Sequence, residues 1–172
     1  ITGSLLMVAV VAGTGLAAIS GSGSADTAAT SSIMLPEMRR RGYNIDFAAG
    51  IMAAAGTLGP VIPPSIMMVV LATISNLSVG GMFLGGIIPG LIMAIGLMVA
   101  SYFHARRGGD AYKDSEPFTF RRLGRTFVAA LPAFVMPVII VGGIVGGVFT
   151  PTEAASIAVV CGLVIAMFVY KE

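Results

Sequence analysis

The sequence predicts an all-α integral membrane protein: a re-entrant helical hairpin, a broken transmembrane helix and about three further membrane-spanning helices. Three observations lead there. Of 172 residues, 56% are hydrophobic and only 10% are charged, whereas a soluble domain carries about 25% charged residues. The mean hydropathy of +0.96 leaves too little polar surface to cover a soluble globule. The charges are also segregated: none lies between Asp46 and Arg106, only Glu153 lies between Arg125 and Lys171, and only Asp26 and Glu37 precede Arg39. Long apolar runs with few charges read as transmembrane helices.

The first element covers residues 1–42. An apolar arm at 5–19 stops at Ser20-Gly21-Ser22-Gly23-Ser24, and a second arm at 25–38 leads to Arg39-Arg40-Arg41-Gly42. A full crossing takes about 20 residues, and each arm is shorter. Two short arms around a glycine-serine break suggest a re-entrant hairpin with both ends on one side of the membrane. The alternative is a full span followed by an exposed linker, which would not need apolar arms on both sides.

Residues 43–78 form the broken helix, interrupted at Gly56-Thr57-Leu58-Gly59-Pro60-Val61-Ile62-Pro63-Pro64. One proline would kink a helix; Pro60, Pro63 and Pro64 together remove three amide donors and open a gap. Unwound backbone at membrane depth is tolerated only against protein or a polar cavity. Residues 79–105 are a plain span, in which Gly81, Gly85, Gly86, Gly90 and Gly96 suggest close packing. His104, at its end beside Arg106 and Arg107, reads as an interfacial residue.

Residues 106–125 form a polar loop in which Phe118 and Phe120 alternate with polar residues, and 126–172 hold two more spans. Pro132 and Pro137 bend the first of these. Thr150-Pro151-Thr152-Glu153 opens the second as a capping box, with Thr150 at N-cap, Pro151 at N1 and Glu153 at N3. The two basic clusters, Arg39 to Arg41 and Arg106 to Arg125, belong on the cytoplasmic side. That requires an even number of crossings between them, which the broken helix and the plain span supply. The net charge of +2 sits in these loops and signifies membrane orientation rather than a nucleic-acid partner. Ile1 opens inside an apolar run with no signal peptide before it, so the chain reads as an internal piece of a longer protein.

No catalytic set competes with a transport reading. There is one histidine, at a membrane edge, and one cysteine, Cys161, in an apolar run, so neither a metal centre nor a nucleophilic triad can be assembled. The two interruptions carry the chemistry instead. A broken helix offers carbonyls at the end of its first half and amides at the start of its second, with opposite partial charges. Two such gaps in contact make a site for a cation and a carboxylate. Ser20, Gly21, Ser22, Gly23, Ser24, Gly56, Thr57, Gly59 and Pro60 are the candidate sodium-binding residues, with hydroxyls at Ser20, Ser22, Ser24 and Thr57. Ser24, Asp26, Pro63, Pro64 and Ser65 are candidate substrate contacts. Asp26, in the first turn after the tip, is either a cap or a site residue. No resident cofactor is expected, and sodium serves as the coupling ion.

The run Ala18-Ile19-Ser20-Gly21-Ser22-Gly23-Ser24-Ala25-Asp26-Thr27-Ala28-Ala29 closely resembles the large membrane subunit of TRAP transporters. Leu35-Pro36-Glu37-Met38, Gly42-Tyr43 and Gly56 through Ser65 match it too, as do Gly86-Ile87-Ile88-Pro89-Gly90 and Phe149-Thr150-Pro151-Thr152-Glu153-Ala154-Ala155. The motifs fall in order over nearly the whole chain. The resemblance implies a multi-pass subunit of the bacterial inner membrane in a sodium-driven, inverted-repeat elevator carrier for organic anions such as dicarboxylates, other carboxylates or sialic acid. It implies a periplasmic solute-binding protein and a small TRAP membrane subunit as partners, and a first sodium site at Ser20 to Ser24 and Gly56 to Pro60. It also implies that the second hairpin and second sodium site lie outside this chain. A channel subunit and a non-transporting scaffold are the rival readings. Polar residues clustered at two gaps, rather than along a pore, weigh against the first; the second would let the gaps tolerate bulky side chains.

Overall fold

The computed structural model describes residues 4–107 and 120–170, and among them the protein is helical with no strand. Seven helices follow in order: α1 (Ser4–Ser20), α2 (Gly23–Arg40), α3 (Ile45–Gly56), α4 (Ile66–Ile74), α5 (Val79–Arg107), α6 (Phe120–Val145) and α7 (Pro151–Val164). The last is extended by a π-helical turn over Ile165–Tyr170.

The first two helices fold back on each other as a hairpin. Gly21, at φ +61°, turns the chain between them, a conformation that costs glycine nothing and other residues about 1 kcal/mol or more. Leu6 and Ala9 near the start of α1 share a buried cluster with Met38 near the end of α2, joined by Tyr43, Ala48, Met52 and Ala105. The return from α2 to α3 is a Schellman turn. Gly42 takes φ +75°, and the amide of Tyr43 donates to the Met38 carbonyl at 3.0 Å. Asn44 then caps α3 by accepting from the Phe47 amide at 3.0 Å.

Between α3, which ends at Gly56, and α4, which starts at Ile66, the helix is interrupted. It packs on both hairpin arms through α3 and on α5 through α4. The glycine-rich α5 seats the break: a Cβ added at Gly86 would lie 2.5 Å from the Val61 carbonyl oxygen, and one at Gly90 would lie 2.7 Å from Ile62 Cγ1. Gly85 and Gly96 face open space instead, so only part of the glycine pattern serves packing.

Near its end α5 meets the start of α3, where the rings of Phe47 and His104 stack 3.4 Å apart and 5° from parallel. The interfacial histidine is thus a packing residue between two helices. The chain then returns in α6, whose last residue, Val145, lies beside Gly80 at the start of α5, with 3.4 Å between Val145 Cα and a Cβ built on Gly80. α5 and α6 are therefore antiparallel. α6 begins at Phe120, six residues before the expected start at Thr126, because proline-free sequence with good helix formers continues upstream of the apolar run. Residues 108–119, including Lys113 and Phe118, lie outside the described residues. The capping box that starts α7 is formed: Thr150 Oγ1 accepts from the Glu153 amide at 3.3 Å, and Glu153 Oε2 accepts from the Thr150 amide at 2.8 Å.

Among the described residues, Val79–Arg107 and Pro151–Phe168 are long and apolar enough to cross a membrane. Only 22% and 11% of their apolar windows are buried, whereas the core helix of a soluble protein is mostly buried. Their outer faces carry Ile88, Ile92, Ile95, Val159, Val160 and Phe168, all exposed. Such a surface suits hydrocarbon, not water.

Candidate functional site

The hairpin tip is seated in the break of the neighbouring helix, and the contact is made by main chain. A Cβ on Gly21 would come within 2.7 Å of the Pro64 carbonyl oxygen. One on Gly23 would lie 2.6 Å from the Gly56 carbonyl oxygen and 3.3 Å from Pro60 Cδ. One on Gly59 would lie 2.8 Å from the Gly23 amide nitrogen, and one on Gly56 would overlap Thr27 Oγ1. Any side chain at these four positions would push the two interruptions apart.

One ionisable group enters this junction. Asp26 is 2% exposed. Its Oδ1 accepts from Ser20 Oγ at 2.5 Å, and Ser20 Oγ in turn accepts from the Ser22 amide at 3.0 Å. Oδ2 has no hydrogen-bond partner and lies 3.0 Å from a Cβ built on Gly59. Asp26 is thus not a helix cap; Ser22 holds the N-cap position without a side-chain bond. The carboxylate ties the end of α1 to the first turn of α2 and points its free oxygen at the break. A half-satisfied buried carboxylate costs several kcal/mol, and a cation beside Oδ2 would offset that cost.

The break is more closed than the sequence implies. Thr57 donates its amide to Ala53 and Ala54, Leu58 to Ala55, Gly59 to Gly56, and both Val61 and Ile62 to Leu58. Ser65 Oγ donates to the Pro60 carbonyl at 2.9 Å and accepts from the Met68 amide at 3.4 Å, capping α4. Tight turns thereby use the carbonyls expected to be free. Each carbonyl keeps a second lone pair, so ion coordination remains chemically available.

The expected site residues divide into three groups. Gly21, Gly23, Gly56, Gly59, Pro60, Ser20 and Asp26 converge on the junction. Ser24 and Thr57 are exposed, and the Thr57 hydroxyl donates back to the Ala54 carbonyl at 2.7 Å. The candidate substrate contacts are split between two cavities. Pro64 and Ser65 line one of about 290 Å³ together with Ser20, Val70, Phe83 and Ile144. Pro63 lies on the other side of the break, in a groove of about 700 Å³ with Thr14, Leu91, Met98 and Phe134. Thr27 was not legible from the sequence as a junction residue. Its hydroxyl donates to the Gly23 carbonyl at 2.8 Å and fills the space over Gly56; a threonine one turn after a tip glycine was the only available signal. Among the described residues no three His, Cys, Asp or Glu side chains gather as a metal centre.

A hairpin seated in a broken helix, with apolar helices exposed around it, is an arrangement that membrane transporters built from discontinuous helices use. The chain belongs to a known family of this class: the family described as "Tripartite ATP-independent periplasmic transporter, DctM component" matches residues 1–172. It is 44% identical over 171 residues to the C4-dicarboxylate TRAP transporter large permease protein DctM of Vibrio cholerae, covering 99% of this chain and 37% of that protein. It is 41% identical over 173 residues to the sialic acid TRAP transporter large permease protein SiaM of the same species, covering 99% of this chain and 40% of that protein. With the 2,3-diketo-L-gulonate TRAP transporter large permease protein YiaN of Escherichia coli it shares 38% identity over 170 residues, covering 99% of this chain and 40% of that protein. The chain therefore spans about two fifths of the length of these relatives. The family is one of transport permeases, not enzymes.

Proposed function

We propose that the full-length protein imports organic anions by sodium-coupled secondary transport, as the large permease subunit of a tripartite system in the bacterial inner membrane. A periplasmic binding protein delivers the solute and a small membrane subunit completes the scaffold. The observation that carries the reading is the buried Asp26 carboxylate, with Oδ2 unpartnered at a junction of main-chain dipoles. A carboxylate there would repel an anionic solute and attract a hard cation, so Asp26 belongs to the coupling ion. The solute is expected in the adjoining cavity at Ser20, Pro64 and Ser65. Hairpin and broken helix move together as one elevator body, because the seam between them has no room for a side chain.

The test is uptake into liposomes by the full-length permease with its small subunit and binding protein. Uptake of a dicarboxylate or sialic acid should follow an inward sodium gradient and vanish when potassium replaces sodium. Equal uptake with either cation would refute sodium coupling.

The re-entrant hairpin predicts a topology. Arg39, Arg40 and Arg41 lie at the same end of the molecule as Arg106 and Arg107, since Phe47 stacks on His104 and Met38 shares a buried cluster with Ala105. Cysteines placed at Arg40 and Lys113 in the full-length protein should therefore both resist an impermeant thiol reagent added from the periplasm. Labelling of either one would exclude a hairpin that enters and leaves from the cytoplasm.

A further inference from the structure

We infer that the end of the molecule where α2 turns into α3 and α5 ends is a binding surface for anionic phospholipid headgroups. Three chain segments converge there. The Phe47–His104 stack brings the end of α5 onto the start of α3. The Schellman turn places Arg39 and Arg40 directly before that start. The antiparallel α6 returns its first turns, which carry Arg121, Arg122 and Arg125 in sequence, to the same end.

Arg39, Arg40, Arg106 and Arg107 are all exposed. Among the described residues, 37–46, 104–107 and 120–125 carry eight arginines against two acidic residues, Glu37 and Asp46. Arg41 is engaged with Glu37 at 2.7 Å on the surface and is not counted on.

The apolar surface beside these arginines decides what binds. One turn inward on α5, Phe103 is 55% exposed and Tyr102 is 38% exposed, and their rings meet edge to face at 5.9 Å. Ile95 and Val99 continue the exposed apolar face. A soluble anion would use the guanidinium groups and leave this belt unexplained. A phospholipid carries both parts: a phosphate for the planar, two-pronged guanidinium groups, and acyl chains for the belt, with aromatic rings at the boundary.

The experiment uses the full-length permease with its small subunit, purified from nanodiscs of phosphatidylcholine with a minority of phosphatidylglycerol. Native mass spectrometry counts the lipids that stay bound. Phosphatidylglycerol should be retained about tenfold over its supplied proportion, as several arginines near one headgroup layer imply. Changing Arg39, Arg40, Arg106 and Arg107 together to glutamine should abolish the preference. Because those changes remove charges that orient the protein, the same four changed to lysine provide a second test: lysine keeps the charge and topology but not the two-pronged bond, and should lower the preference several-fold. Retention in proportion to supply, full retention by the glutamine variant, or release of the lipid by millimolar inorganic phosphate would each overturn the proposal.

Discussion

Asp26→Asn in the full-length permease should lower sodium-dependent uptake by about a hundredfold, equivalent to about 2.7 kcal/mol of lost stabilisation, while leaving membrane insertion intact. The substitution preserves shape. Asparagine can still accept the Ser20 hydroxyl bond that Oδ1 accepts at 2.5 Å. What changes is the atom facing Gly59: an unpartnered carboxylate oxygen becomes an amide that repels a cation. The sign of the stability effect separates an ion site from a structural role. Without sodium, the wild-type protein buries a carboxylate that is only half satisfied, so the neutral variant should be no less stable. With sodium, the wild type should gain thermal stability by mass action, and the variant should not. A sodium-induced rise in Tm of equal size in both proteins would remove Asp26 from the ion site. A large loss of stability in sodium-free buffer would assign it to holding the hairpin tip.

Gly56→Ala is expected to destabilise the junction by about 1 to 3 kcal/mol, the range for overpacking a tight site, and to abolish uptake. The added methyl group would overlap Thr27 Oγ1 and lie 2.8 Å from the Gly23 carbonyl oxygen. The Thr27 side chain is held in place by the bond its hydroxyl donates to that same carbonyl, so it cannot swing aside without giving up that bond. The tip must then lift from the break. Thr27→Ala removes the overlapped hydroxyl, and the double variant should recover part of the lost stability, although the contact with the Gly23 main chain persists. A coupling energy near zero in this double-mutant cycle, measured by thermal unfolding of the full-length protein, would show that the hairpin is not docked at Gly56.

The helices and their interruptions were legible because they rest on local chemistry. Three prolines in five residues can only break a helix, and Thr150-Pro151-Thr152-Glu153 can only start one. Gly21 marks the tip because a turn of positive φ needs it. The tertiary outcome was less legible. The hydroxyl pattern at Ser20, Ser22, Ser24 and Thr57 looks uniform in sequence, yet Ser20 bonds Asp26, Thr57 bonds its own helix, and Ser24 is exposed. Helical phase around a tight turn decides which way each one points, and one residue of displacement rotates it by about 100°. The start of α6 at Phe120 is not legible because three of residues 120–125 are arginine, and hydropathy marks where a helix meets hydrocarbon rather than where its hydrogen bonds begin. The role of Thr27 is not legible in the sequence because it depends on a glycine almost thirty residues further along the chain.

The seam between tip and break meets main chain to main chain: Gly21 on the Pro64 carbonyl, Gly23 on that of Gly56, Gly59 on the Gly23 amide. Peptide groups are the same whatever the codon, and a glycine can be exchanged only for something larger. Random change can therefore destroy this seam but cannot grade it. A lineage adapting to a new solute has no dial here. In the cavity proposed above for the solute, the wall residues Val70, Phe83 and Ile144 can change in size while the joint beside them stays untouched.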